Sequence, residues 1–192
     1  MTEVPPMSLA DEIRVRDATT DDAREVARVH VDAWRVAYAG IIPDSLLASH
    51  SVSERAAGGD AWLRASVDER PTDGGEGPSH RLVVAEVAGN VIGWAAFGQG
   101  RDPGTRVEGE LAGLYVDPAF WSRGVGRSLV DAVVDDLTRR GNKSAYVWVL
   151  RKNLPAIRFY TRLGWQLDGG EKILAIEGAS SLEEDRLRRD LG

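Results

Sequence analysis

Hydrophobic and polar positions change period several times along this chain, and the changes outline its elements. Ile13-Arg14-Val15-Arg16 alternates, the period of a half-buried strand. Thr19 and Asp22 stand in capping-box spacing. Behind them Ala23, Val26, Ala27, His30 and Trp34 recur as on one helical face, until Gly40 and Pro43 break the pattern. Ser51-x-x-Glu54 predicts another helix start, with Trp62 and Leu63 as anchors, and Pro71 to Ser79 reads as a flexible loop. Leu82–Val87 and Val91–Phe97, joined at Gly89-Asn90, predict a hairpin. After a loop from Gln99 to Gly109, Glu110–Val116 reads as a strand stopped by Asp117-Pro118. Gly126–Arg140 carries Leu129, Val133 and Leu137 on one face, which predicts a helix ending at Gly141. Ala145–Leu150 is almost continuously apolar, as expected of a buried parallel strand. Asn153-Leu154-Pro155 opens a helix that ends at Gly164, and Lys172–Glu177 predicts a closing strand. Ser180–Gly192 is so charged that it reads as a short surface helix or a tail.

This order predicts one α/β domain over residues 12–178, between a flexible tail at 1–11 and a charged tail at 179–192. Composition narrows the class. Apolar residues make up 43% and charged residues 28% of the 192, which is ordinary for a globular protein and excludes collagen-like and disordered classes. No stretch approaches a membrane span and the start carries no secretory pattern, so a cytoplasmic location is expected. With no cysteine there is no disulfide framework and no thiolate nucleophile. His30, His50 and His80 are far apart, so no metal site is expected. The net charge of −6 disfavours nucleic acid as the partner.

Chemistry concentrates in two segments. Leu114-Tyr115-Val116-Asp117-Pro118 runs through Trp121-Ser122-Arg123-Gly124-Val125-Gly126-Arg127-Ser128 into a helix. Gly124 and Gly126 allow close backbone approach, the first-turn N–H groups lack intrahelical partners, and Arg123 and Arg127 add positive charge. That set cradles a phosphate, or else forms only a tight strand-to-helix turn. It is neither a Walker loop nor a dinucleotide fingerprint, since the Lys-Ser/Thr ending and the third glycine are missing. In the second segment Asn153 and Tyr160 lie about two helical turns apart and share a face. Taken singly, Asn153 reads as an N-cap and Phe159-Tyr160 as core.

Together the segments resemble the GNAT superfamily of acyl-CoA-dependent N-acetyltransferases. The family's Gln/Arg-x-x-Gly-x-Gly/Ala turn matches Arg123, Gly124, Val125 and Gly126, with Trp121 standing where Gln or Arg is usual. Its Asn-x-x-Ala-x-x-Phe-Tyr-x-x-x-Gly-Phe pattern matches Asn153, Ala156, Phe159, Tyr160 and Gly164, with Trp165 in place of Phe. Trp34-Arg35-x-Ala37-Tyr38-x-Gly40-x-x-Pro43 is also similar to the family's amino-terminal arrangement. The resemblance implies a mixed, mostly antiparallel sheet of about six to seven strands with a V-shaped splay, flanked by helices. It implies acetyl-CoA as co-substrate and a primary amine, small-molecule or peptide, as acceptor, attacking directly in a ternary complex. The protein is then expected to be a monomer or homodimer, without membrane or nucleic-acid partners.

The resemblance assigns the pyrophosphate to the turn from Arg123 to Ser128. The pantetheine arm falls beside the backbone of Leu114, Tyr115 and Val116, with Asn153 as a hydrogen-bonding partner. Tyr160, with a reference pKa of ~10, then protonates the departing thiolate, whose conjugate acid lies near ~8.5. The N–H of Val116 polarises the thioester carbonyl. Glu110 is the family-matching base, with Glu108, Glu86 and Asp32 as rivals. Trp34 and Tyr38 border the acceptor pocket or belong to the core. His30, Trp94 and Trp148 read as packing. Two other readings stay open: an acyl-CoA-binding or regulatory module without turnover, and a nucleotide phosphate binder using only the arginine-flanked turn.

Overall fold

A computed structural model describes residues 12–49, 52, 80–105, 108–174 and 181–192. The helix expected after Ser51 and the loop from Pro71 to Ser79 lie outside the described residues, Val52 excepted. The elements are β1 (Arg14–Asp17), α1 (Ala23–Ala37), α2 (Asp44–Ser49), β2 (His80–Val87), β3 (Asn90–Gln99), β4 (Gly109–Val116), α3 (Val125–Arg139), β5 (Ser144–Leu150), α4 (Leu154–Arg162), β6 (Gln166–Leu174) and β7 (Leu182–Asp190). They build one seven-stranded sheet in the order β1-β2-β3-β4-β5-β7-β6. Every neighbouring pair is antiparallel except β4 and β5.

The two-residue period of β2 decides what each face of the sheet buries. Val83 and Ala85 join Phe97, Leu111, Leu129, Val133 and Leu137 in the core beneath α3 and α4. Leu82 and Val84 turn the other way and pack with Val26, Val29, Trp94 and Ala96 beneath α1. Strand β3, covered on both faces, is buried from Val91 to Gly98. The predicted capping box enters α1 through a short 3-10 turn. The Asp22 carboxylate accepts from the Thr19 N–H at 2.7 Å and is gripped by Arg16, whose Nε reaches Glu86 at 2.8 Å. Helix α2, absent from the periodicity reading, follows directly on Pro43, and its Leu47 is buried against Leu150 of β5.

The carboxyl terminus corrects the sequence reading. Residues 182–190 are neither tail nor helix but strand β7, inserted between β5 and β6 and in register with β5 from Ser144↔Asp190 to Leu150↔Glu184. The closing strand β6 also starts earlier than expected, at Gln166. The reason lies in the spacing of two leucines. Leu182 and Leu187 are both buried but face opposite sides of the sheet, so neither face of β7 shows an apolar alternation. Its charges are paired across strands instead, Asp185 with Arg151 at 2.6 Å and Arg186 with Asp168 at 2.9 Å.

Candidate active site

Strands β4 and β5 meet only at Gly109↔Ala145 and Glu110↔Tyr146 and then part. The register of β4 against β3 shifts between Ala96↔Gly113 and Phe97↔Leu111, leaving Ala112 as an extra bulged residue where the divergence begins. Asp117 N–H donates to Ile92 O at 2.9 Å. By the alternation of an antiparallel ladder, the N–H groups of Leu114 and Val116 therefore point away from β3, into the gap that β5 has left. Trp121 occupies the other backbone group there, its indole N–H donating to Val116 O at 2.7 Å.

The glycine turn closes one end of this gap. Gly124, at φ +93°, is the N-cap of α3 and offers no side-chain cap, and Ser128 N–H to Gly124 O at 3.0 Å is the first bond of the helix. The N–H groups of Val125, Gly126 and Arg127 thus lack intrahelical partners. A Cβ on Gly126 would come within 3.1 Å of the Phe159 ring, so glycine lets α4 seat against the turn without displacing that ring. Arg123 lies over the Phe120 ring, 5.8 Å from its centroid. Neither Arg123 nor Arg127 is ion-paired with a described residue, and both charges stand ready for an anion at the helix terminus.

Helix α4 begins as the sequence predicts. Asn153 caps it, Oδ1 accepting from Ala156 N–H at 3.2 Å, and the Nδ2 donors are not used by the cap. Two turns later Tyr160 is buried edge-on to Trp165, with ring centroids 5.9 Å apart. Burial, reinforced by the neighbouring Tyr38 phenol, pushes its hydroxyl well above the ordinary tyrosine range, so it stays protonated at neutral pH. Tyr38, just past the end of α1, packs with Trp34, Leu150 and Leu182, and Tyr115 of β4 lies close enough to act on its phenol. It therefore spans the mouth where β4 and β5 separate. Tyr160 approaches from the α3–α4 side of the sheet and Tyr38 from the α1 side. Burial also raises the Tyr38 phenol, partly offset by the neighbouring Tyr115 hydroxyl.

Glu110, expected as a base at the strand head, sits in a different state. It is buried, and its oxygens accept from Arg101 Nη2 at 2.6 Å, Arg101 Nε at 2.9 Å, the Arg101 backbone N–H at 3.1 Å and the Tyr146 hydroxyl at 3.1 Å. His80 Nε2 lies 3.7 Å away. Burial alone would raise its carboxyl, but the nearby His80 ring, the hydrogen bonds from Arg101 and the guanidinium charge hold it well below the usual carboxylate range. A carboxylate in that state is a weak proton acceptor with its lone pairs engaged. Among the rivals, Glu108 pairs with Arg188 at 3.3 Å, Glu86 joins Arg16 at the far edge of the sheet, and Asp32 lies 3.5 Å from Arg28.

Two of the three residues expected as packing are packing. His30 lies 4.2 Å from Tyr115 and 5.6 Å from Trp94 between ring centroids, inside an aromatic stack. Trp148 is different. Its indole N–H donates to Asp102 at 2.7 Å, and Lys172 Nζ sits 4.4 Å from its ring centroid. Arg101 and Tyr146 went unnoticed in the sequence because only the loop after β3 and the pairing of β5 bring them to Glu110, and the side chains of β7 because that strand enters the sheet beside β5.

The Acetyltransferase (GNAT) family model matches residues 45–165. The uncharacterized N-acetyltransferase YuaI of Bacillus subtilis is 32% identical over 77% of each chain. The PaiA N-acetyltransferase of Thermoplasma acidophilum, solved in complex with coenzyme A, superposes with a TM-score of 0.69 at 17% identity, covering 93% of this chain and 98% of that one. The ribosomal-protein-alanine N-acetyltransferase of Brucella melitensis gives 0.68 at 18% identity, covering 92% and 99%. At such identities the solved structures speak for the fold alone. Family model, relative and fold agree: the chain belongs to the GNAT family of N-acetyltransferases.

Proposed function

We propose that this protein transfers the acetyl group of acetyl-CoA to a primary amine, by direct attack of the amine with both substrates bound. The observation that carries the reading is the gap between β4 and β5, edged by the N–H groups of Leu114 and Val116 and closed by the uncapped start of α3. These residues fit coenzyme A. The turn from Arg123 to Ser128 presents to a pyrophosphate N–H groups without intrahelical partners and two guanidinium groups with no ion pair among the described residues. The backbone of Leu114, Tyr115 and Val116 and the Nδ2 group of Asn153 offer hydrogen bonds to an amide-bearing arm. The bound acetyl-CoA would supply an activated thioester.

The chain's own groups divide the remaining work. The Val116 N–H withdraws charge from the thioester carbonyl. The amine gives up its extra proton to solvent water before attack; as the C–N bond forms and the C–S bond breaks, Tyr160, kept protonated by burial, donates its proton to the leaving sulfur and regains one through water from the nitrogen that has attacked. Tyr38 and Trp34 line the acceptor side. Glu110 serves by holding Arg101 and Tyr146 in place at the closed end of the gap, rather than by taking the amine's proton itself. Two measurements test this reading. Coenzyme A at a hundredfold excess over its Kd should stabilise the fold by about 2.7 kcal/mol, and ATP much less. Thiol release from acetyl-CoA, screened over amines, should then rise with at least one acceptor. Stabilisation without thiol release for any amine would leave a binding module, and equal stabilisation by ATP would leave a phosphate binder.

A further inference from the structure

Strand β7 brings a carboxylate to the acceptor side of the gap. Glu184 stands opposite Leu150 on β5 and Lys172 on β6. Leu182, two residues earlier on the same face, packs against Tyr38 and Leu150, so Glu184 stands on the face of the sheet that Tyr38 covers. The field of Glu184 indeed contributes to the upward shift of Tyr38. The Glu184 side chain is only 14% exposed, and the one ion pair it makes among the described residues is with Lys172, at 3.2 Å. The same Lys172 ammonium lies 4.4 Å from the centre of the Trp148 ring. Arg186, held by Asp168, lies 5.6 Å from that centre, and the bond to Asp102 fixes the ring's orientation. A carboxylate and an aromatic face around one nitrogen are what a binding site for a primary alkylammonium consists of. Here a lysine of the chain fills it. Lys172 is 41% exposed, so its flexible side chain can move into water at small cost.

We propose that Glu184 and Trp148 receive the ammonium group of the acceptor, and that Lys172 occupies this site as a stand-in which the acceptor displaces. The proposal rests on the N-acetyltransferase reading and narrows its acceptor to alkylamines that are cationic in solution. Aromatic amines, neutral at pH 7.5, are excluded.

The opposite signs of two substitutions test it. With 1,5-diaminopentane as the acceptor, Glu184→Gln should raise the acceptor KM about tenfold, the weight of a partly desolvated charge contact. Lys172→Ala, which empties the site, should lower it by about threefold or more. The KM for acetyl-CoA should stay unchanged in both, and aniline should be a poor acceptor throughout. A merely structural ion pair would move both variants in one direction, and that result overturns the proposal. Calorimetric titration of 1,5-diaminopentane into the coenzyme A complex gives a second readout, independent of turnover. Absence of binding to the wild-type protein overturns the site. Glu184-dependent binding without thiol release from any amine would leave the site standing and defeat the acetyltransferase reading.

Discussion

Replacing Glu110 by glutamine is the sharpest perturbation of the site, because it changes one oxygen and almost no volume. Glu110 accepts two guanidinium hydrogen bonds, at 2.6 and 2.9 Å, and a phenol bond at 3.1 Å. In the variant an NH2 group faces a guanidinium that can only donate. Hydrogen bonds to a charged partner contribute roughly 1.5–3 kcal/mol. The larger cost of stranding a buried charge does not apply, because the Arg101 side chain is 60% exposed and can turn to water. The expected loss is therefore about 2–3 kcal/mol, a fall in Tm of about 4–12 °C for a chain of this size. The wild-type carboxyl is held below its unfolded value of ~4.3, so the advantage is fully present above that pH. It disappears as pH falls further, through the folded value. Urea denaturation of both proteins between pH 7 and pH 3 reads this directly. Turnover supplies the independent check. If Glu110 anchors Arg101 and Tyr146, the variant loses the same factor at pH 7 and pH 9. A loss that shrinks at pH 9, where free amine is abundant, would make Glu110 the base and refute the argument from its locked geometry.

Gly124→Val forces a β-branched residue to φ +93° and obstructs the approach to the α3 terminus. Coenzyme A titration should show affinity weakened by tenfold or more, about 1.4 kcal/mol; an unchanged Kd would remove the pyrophosphate from this turn. Tyr160→Phe keeps the buried ring and deletes its proton, so steady-state turnover should fall by roughly 10²-fold while coenzyme A binding is unaffected. Wild-type turnover would mean that water or substrate protonates the thiolate. Leu187→Ala removes a fully buried side chain of β7 and should cost about 2–5 kcal/mol in denaturant unfolding. A loss under ~0.5 kcal/mol would return the segment to the status of a tail.

How much of this was legible depends on how local each signal is. Capping residues, glycine turns and apolar periods act over a few neighbouring positions. The sequence alone therefore determined β1, the β2–β3 hairpin, α1, α3 and α4, the turn from Arg123 to Ser128, and Asn153 as the cap of α4. The two motifs carried the family as well, since both lie on single strand-to-helix connections. Strand β7 escaped because its two buried leucines serve opposite faces and most of its charges are paired with residues of other strands and loops. The state of Glu110 escaped for the same reason. A glutamate at a strand head looks solvated until the loop after β3 folds Arg101 over it and β5 lays Tyr146 alongside. Which carboxylate is locked, which core each phenol joins and which lysine reaches Trp148 are properties of strand pairing, and strand pairing is decided by the whole sheet rather than by any segment of it.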